Sequence, residues 1–375
     1  MNYELYVDKT KHLTINILQI FASRSWGGGE EYVYALSKKL IEDGHTVWFV
    51  SQKSPDIVEK LRTIHSFPRV LPLLICFDLW SIIQLALMVR KNNIELIHSH
   101  QFKDALIAIF ARIVSRKKVK IILTRHLVKK AKTNALYSFL YKRINAIIFV
   151  SALAKNEFLS SCPKIDEKKI FTIHNSIYPA PVIAEKTNLR ASCQIGAQTV
   201  VLAFTGQIVE GKGIEILLDA VYNLKNLDIV LLIAGKGKQP YEQLLKNQTD
   251  ARGLGNKIFF LGFVDNISGF IPQIDIGIAP SIWRESFGLS VIEFMKFGKP
   301  VITTNNGAQN EYITHLFDGC LISPSDVNAL TGAIRLLVEN REERLRIGQN
   351  AQKTFLEKLS FTEFYNKTVA VYRNK

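Results

Sequence analysis

The sequence predicts an α/β protein of two doubly wound domains, and three observations carry the prediction. Twelve short, β-branched apolar runs alternate with amphipathic stretches along the chain. Such runs, with helices between them, argue for parallel sheets covered on both faces. A chain of 375 residues is also too long for one ordinary core. Finally, the alternation breaks once, over 177–198 (IYPAPVIAEKTNLRASCQIGAQ), where two prolines interrupt and periodicity fades, as in a linker.

In the first half the expected strands are TINILQI (14–20), TVWFVS (46–51), ELIHSH (95–100), VKIILT (119–124), AIIFV (146–150) and IFTIHN (170–175). In the second they are VVLAFTG (200–206), IVLLIAG (229–235), KIFFLG (257–262), IDIGIAP (274–280), PVITT (300–304) and GCLIS (319–323). Six strands apiece suffice for one doubly wound domain each. The longest apolar candidate for a membrane span, Val70 to Val89, carries Pro72, Asp78 and Gln84 and is read as a buried strand–loop–helix. Charges interrupt any apolar core at the N-terminus, so no signal peptide is expected. The four cysteines, Cys76, Cys162, Cys193 and Cys320, lack metal-ligand spacing and are expected as unpaired thiols in a reducing compartment.

The net charge of +15 is uneven. Residues 1–180 hold 27 Lys+Arg against 14 Asp+Glu, whereas 181–375 hold 21 against 19. Within 105–156 there are twelve basic residues and no acid. Such a face suits an anionic membrane surface or a phosphorylated acceptor, or is simply solvated. Aromatic interleaving is modest (Tyr137, Phe139, Tyr141) and no nucleic-acid module is recognisable, so nucleic acid is not expected as a partner.

Four groups of residues carry chemistry. In Pro280–Glu311, Glu285 and Glu293 stand eight residues apart, with Phe287 and Gly288 between them. The flanking strands put Glu285 on a strand-to-helix loop and Glu293 on the second or third helical turn. The helix start between them is an anion site, through its free N–H groups and dipole. Two acids beside an anion site suit a ligand bearing phosphates and hydroxyls, such as a sugar nucleotide. Next, Gly27, Gly28 and Gly29 follow the first strand and open a helix with Tyr32, Ala35, Leu36 and Leu40 on its apolar stripe. Their spacing is not GxGxxG; they allow close ligand approach or a plain tight turn. In Thr205–Gly213, Lys212 sits in a glycine-flanked loop before a helix, which suits a diphosphate. Gly206, Gly211 and Lys212 mimic a P-loop, but Gly213 replaces its Ser/Thr. Finally, His98, His100 and His126 lie at strand C-terminal ends, where open α/β sheets bind ligands, with His126 the best placed. A metal there would lack nearby acid ligands.

Taken in order, these motifs resemble the GT-B-fold retaining glycosyltransferases of family 4, over essentially the whole chain. The most specific element is Glu285–Glu293 within E-x-F-G, followed by Gly298–Val301 and Gly307–Glu311. Supporting it are Gly27-Gly28-x-Glu30, His98/His100, Thr124-x-His126, Asn145–Ser151, and Gly206 with Lys212. The resemblance implies two Rossmann-like domains, 1–180 on the acceptor side and 181–357 on the donor side, with a C-terminal helix in 358–375 packing back on the first domain. It implies that Lys212 neutralises the donor diphosphate, held also by the backbone of Phe287, Gly288 and Leu289. Glu293 would bind the ribose, Glu285 would orient the donor sugar, and Leu261 to Val264 would flank the base. Gly27, Gly28, Gly206 and Gln207 would line the phosphates. His126 would lie near the transferred sugar on the acceptor side and be catalytic with Lys212 and Glu285, while His98, His100 and Arg125 would lie on the acceptor side. Two departures are Gln207, where the family often has arginine, and Asn175-Ser176 in place of Asn-Gly.

The chain has no Asp-x-Asp cluster, so the expected transfer uses no metal or other cofactor. The implied reaction is a retaining transfer from a UDP- or GDP-sugar to a glycan or lipid-linked acceptor of a cell-envelope polysaccharide or lipopolysaccharide. It is expected in the cytoplasm, peripheral at the inner face of the membrane through 105–156. The alternatives are a sugar-nucleotide epimerase on the same fold and a non-enzymatic basic binder of membrane or nucleic acid.

Overall fold

The computed structural model describes residues 14–23, 26–64, 68–74, 78–179 and 188–374. The expected boundary at 180/181, Cys76 and the first thirteen residues lie outside them. The other cysteines, Cys162, Cys193 and Cys320, are free thiols.

The first half forms strands β1 (Asn16–Phe21), β2 (Thr46–Ser51), β3 (Arg69–Val70), β4 (Leu96–Ser99), β5 (Lys120–Arg125), β6 (Ala146–Phe149) and β7 (Ile170–Thr172). They make one sheet in the order β3-β2-β1-β4-β5-β6-β7, every pair parallel. The second half forms β8 (Val200–Thr205), β9 (Ile229–Ala234), β10 (Ile258–Gly262), β11 (Ile276–Ala279), β12 (Val301–Thr304) and β13 (Cys320–Ile322). Their order is β10-β9-β8-β11-β12-β13, again parallel throughout. Every residue of β8 and β9 is buried, because helices cover both faces. Strand order reverses between β1 and β4 and between β8 and β11, and ligands bind at the carboxyl ends of strands at such switch points.

All twelve expected strands are present. The additional one, β3, is two exposed residues at a sheet edge, too short to leave a periodic signal. The reading of 70–89 as buried needs correction. The helix Leu79–Lys91 buries only its inner face (Ile82, Leu85, Ala86, Met88, Val89); Leu79, Trp80, Ile83 and Leu87 face outward and are exposed. No helix of the described residues is long and apolar enough to cross a membrane.

The chain ends by returning to the first sheet. Phe361, Phe364, Tyr365, Val369 and Tyr372 of the helix Phe361–Arg373 share one core with Ile17, Tyr32, Leu36, Ile122 and Ile148. Lys120 Nζ secures the helix end, donating to the carbonyls of Tyr372 and Asn374 at 3.0 and 2.8 Å.

Candidate active site

The second-domain half of the cleft is built on the loops after β8 and β11, which are adjacent strands. Lys212 ends a short turn, Glu210–Lys212, and Gly213 then opens the helix Ile214–Asn223 at φ +70°. A Cβ on Gly213 would overlap the carbonyl oxygen of Pro280, so glycine lets the two loops touch. Across that contact Lys212 Nζ donates to Glu285 Oε1 at 2.5 Å, and the same oxygen accepts from Ser281 Oγ at 2.5 Å. The Lys212 and Glu285 side chains keep 25% and 19% exposure, so a ligand can reach both.

Beside this pair the helix Leu289–Lys296 starts at Gly288 (φ +88°) with no side chain capping it, which leaves first-turn N–H groups for a ligand. The Phe287 ring is buried between His174 and Tyr312, at centroid distances of 5.6 and 5.3 Å. Tyr312 also donates its hydroxyl to the Phe287 carbonyl at 2.6 Å, fixing the loop. Gln309 is fully buried near Gly288, with both side-chain polar atoms unpartnered. Glu293 lies on the second helical turn; burial and the neighbouring Glu31 push its carboxyl up to about 8, against the pull of Lys296. Leu261 and Val264, at and just past the end of β10, are half-buried against the same core as Phe287. Gly206 follows β8 with its N–H on the Ala234 carbonyl, and Gln207 Nε2 donates across the cleft to the Trp26 carbonyl at 3.4 Å.

The first-domain half centres on the glycine loop, where Gly27 precedes the helix Gly28–Glu42. An added Cβ on Gly28 would lie 3.2 Å from Leu289 Cδ1, one on Gly27 3.5 Å from Gln207 Nε2, and one on Gly29 3.8 Å from His126 Cγ. The loop thus approaches Gln207, Leu289 and His126 at once. The first turn of its helix carries Glu30 and Glu31, whose carboxyls burial raises above their ordinary range.

The histidines form a buried network. His126 Nε2 and His100 Nδ1 are 3.1 Å apart, and His100 Nε2 meets Gln19 Oε1 at 3.0 Å. His98 is hydrogen-bonded through Nδ1 to the Tyr372 hydroxyl and through Nε2 to Thr124 Oγ1, both at 2.7 Å. Tyr32 sets its ring edge-on to all three imidazoles. Burial lowers His98 to about 3 and His126 to about 4, and His100 falls well below its ordinary value. The imidazoles are therefore neutral at physiological pH.

The expected acceptor-side group thus divides. His98 is fully buried with both ring nitrogens engaged, and His100 is nearly so; they lie beneath the site. Arg125 is buried with its guanidinium 4.2 Å over the Phe102 ring. Only His126 of these four is half-exposed.

Sequence reasoning missed several residues. Ser281 and Glu31 act through partners that no local spacing reveals. Glu311 was read only as a motif end. It joins the two halves, accepting from the Ala152 and Leu153 N–H groups at 2.8 and 2.7 Å and meeting His174 Nε2 at 2.8 Å. Burial alone would raise the Glu311 carboxyl, but these hydrogen bonds lower it overall. Arg284–Glu157 (2.9 Å) and Ser176 Oγ to the Leu359 carbonyl (2.5 Å) add to the junction.

Two sheets wound in the same order, with loops from both meeting in one cleft, place the molecule in the GT-B class of glycosyltransferases. Residues 26–180 match the family described as Glycosyltransferase Family 4, and residues 185–354 that described as Glycosyl transferases group 1. An uncharacterised glycosyltransferase of Methanocaldococcus jannaschii, MJ1178, is 30% identical over 285 residues, covering 73% of this chain and 74% of that protein. The O-antigen biosynthesis glycosyltransferase WclY of Escherichia coli is 26% identical over 76% of this chain and 80% of its own. Among solved structures, Anabaena HepE with UDP and glucose superposes with a TM-score of 0.82 at 19% identity, covering 96% of this chain and 99% of that one. The chain belongs to the group 1, family 4 glycosyltransferases, and it is an enzyme of that type.

Proposed function

We propose that the protein transfers a sugar from a UDP- or GDP-sugar to a hydroxyl of a glycan or lipid-linked acceptor, with retention and without a metal, in assembly of a cell-envelope polysaccharide such as lipopolysaccharide. The observation that carries this is the Lys212–Glu285 pair beside the uncapped start of Leu289–Lys296. A cation and open N–H groups suit a diphosphate; the adjoining carboxyl groups of Glu285 and Glu293 suit sugar and ribose hydroxyls. The O-antigen role of WclY and the UDP and glucose held by HepE agree with this class of donor and product.

In the proposed reaction the acceptor oxygen bonds to the anomeric carbon on the face the diphosphate leaves. The bond from that carbon to the phosphate oxygen breaks, its electron pair goes to the diphosphate, and the acceptor proton passes to the leaving oxygen. Lys212 exchanges Glu285 for the diphosphate, and the N–H groups of Gly288 and Leu289 share its charge. Glu285, still held by Ser281, then turns to the donor sugar. Glu293 binds the ribose, Leu261 and Val264 flank the base, Gly27, Gly28, Gly206 and Gln207 line the phosphates, and His126 faces the acceptor. Residues 1–180 and 181–357 act as acceptor and donor domains, braced by the C-terminal helix. The enzyme works on the cytoplasmic side of the membrane, with 105–156 towards anionic lipid.

The test is transfer from a panel of UDP- and GDP-sugars to envelope glycan acceptors, with product anomericity read by NMR. Loss of transfer in Lys212→Ala and Glu285→Ala is expected; unchanged turnover in both would reject the site. Isomerised donor without acceptor would point instead to an epimerase.

A further inference from the structure

We propose that the outward face of the helix Leu79–Lys91 inserts into the interface of an anionic lipid bilayer, as the protein's principal membrane contact. The inference rests on the membrane part of the reading above and is independent of glycosyl transfer. The inserting helix lies outside the basic stretch 105–156, which supplies part of its border.

The helix reads LWSIIQLALMVRK and contains no acid. Its inner residues Ile82, Leu85, Ala86 and Val89 belong to the core of the first domain. The outer residues Leu79, Trp80, Ile83 and Leu87 are between 48% and 71% exposed. Their spacing of three and four puts them on one helical face. A helix apolar all round is ordinarily covered on every side; this one is covered on one. Single exposed apolar residues are ordinary, whereas a continuous stripe marks a contact surface.

The stripe continues past the helix. Leu74 lies exposed before it, and Ile113 and Val114 are exposed near the end of the neighbouring helix Phe102–Ser115. Arg90 Nε donates to the Ser115 carbonyl at 3.0 Å, which draws the two helix ends together. At that end the apolar surface is bordered by exposed Arg90, Lys91, Arg116, Lys117 and Lys118. The acids that flank the helix in sequence are hydrogen-bonded: Asp78 caps it by accepting from the Ser81 N–H, and Glu95 accepts from the Asn16 N–H.

Charge selects the occupant. An apolar stripe with a cationic border and a tryptophan on its face matches a bilayer whose headgroups are anionic. A second copy of the chain would bring together two first domains, each with 27 Lys+Arg against 14 Asp+Glu in residues 1–180, which is repulsive.

The experiment is co-sedimentation of the full chain with vesicles of phosphatidylglycerol and phosphatidylethanolamine, with phosphatidylcholine vesicles as control, at low and high salt. Wild type is expected to partition to the anionic vesicles with a blue shift of tryptophan emission that Trp80→Phe removes while binding persists. The triple variant Trp80→Ser/Ile83→Ser/Leu87→Ser is expected to partition on the order of 100-fold more weakly, with its melting temperature and circular dichroism reporting that it folds. Lys117→Gln/Lys118→Gln should weaken binding mainly at low salt. Binding of the triple variant equal to wild type would overturn the proposal and leave adsorption through basic residues. Absence of wild-type binding to any vesicle would also overturn it, as would a stripe-dependent dimer without vesicle binding. Vesicle binding by a protein without transferase activity would reject the enzymatic reading while leaving this one standing.

Discussion

The two halves of the cleft are built in opposite ways. The half proposed for the donor uses backbone and a few charges: glycine turns at Gly213 and Gly288, an uncapped helix start, and one ion pair between loops of adjacent strands. The half proposed for the acceptor uses neutral, buried side chains joined across the fold, down to the bond between His98 and Tyr372, 274 residues apart. The first keeps a charged pair that solvent reaches. The second sets His126 against the neutral ring of His100 and the edge of Tyr32. Substitutions should therefore damage chemistry in the first case and stability in the second.

The largest effect should come from Lys212→Ala, which removes the charge expected on the leaving diphosphate. A loss of about 10²–10³ in kcat/KM is expected in a donor-saturation assay, with an unchanged melting temperature. A large fall in stability would instead make the ion pair structural and erase the contrast between the halves. At the junction, Glu311→Ala leaves two backbone N–H groups and His174 without their acceptor. It should destabilise by about 2 kcal/mol in urea unfolding, with separation of the two domains as the first step. In the acceptor half, Tyr372→Phe leaves His98 Nδ1 unpaired and should cost about 1 kcal/mol while transfer persists. A loss of activity as large as that of Lys212→Ala would move the network from support into the chemistry.

The pH dependence of stability differs in sign between the halves. His98 and His126 have folded values of about 3 and 4 against 6.5 for an ordinary histidine. The unfolded chain therefore takes up protons first, and stability should fall as pH drops below 6.5. Glu293 stands at about 8 against an ordinary 4.5. Here the folded state holds the extra proton, so stability should fall as pH rises from 4.5 through 8. Melting temperatures from pH 5 to 9 check both signs. Glu293→Gln should flatten the upper limb and leave the lower one.

The same contrast decides what was legible in the sequence. Parallel strands buried on both faces write themselves as apolar runs, and all but the two-residue edge strand β3 could be read. The placing of the loops proposed for the donor was legible because the pattern is local: Lys212 between glycines, Glu285 and Glu293 around one helix start. Their pairing with each other was not, because it depends on β8 lying beside β11. The burial of His98 was illegible for a similar reason, since the helix that covers it comes last in the chain. The outward stripe of Leu79–Lys91 was misread because apolar content alone does not say which face a domain covers.

The central claim is that the donor diphosphate is held by Lys212 and the start of Leu289–Lys296. Titration of UDP and GDP into wild type and Lys212→Ala, followed by melting temperature, tests it most directly. A ligand that binds the folded state raises the melting temperature by mass action. The account predicts a rise for wild type with at least one of the two nucleotides and a much smaller rise for the variant. An equal rise in both proteins would contradict it.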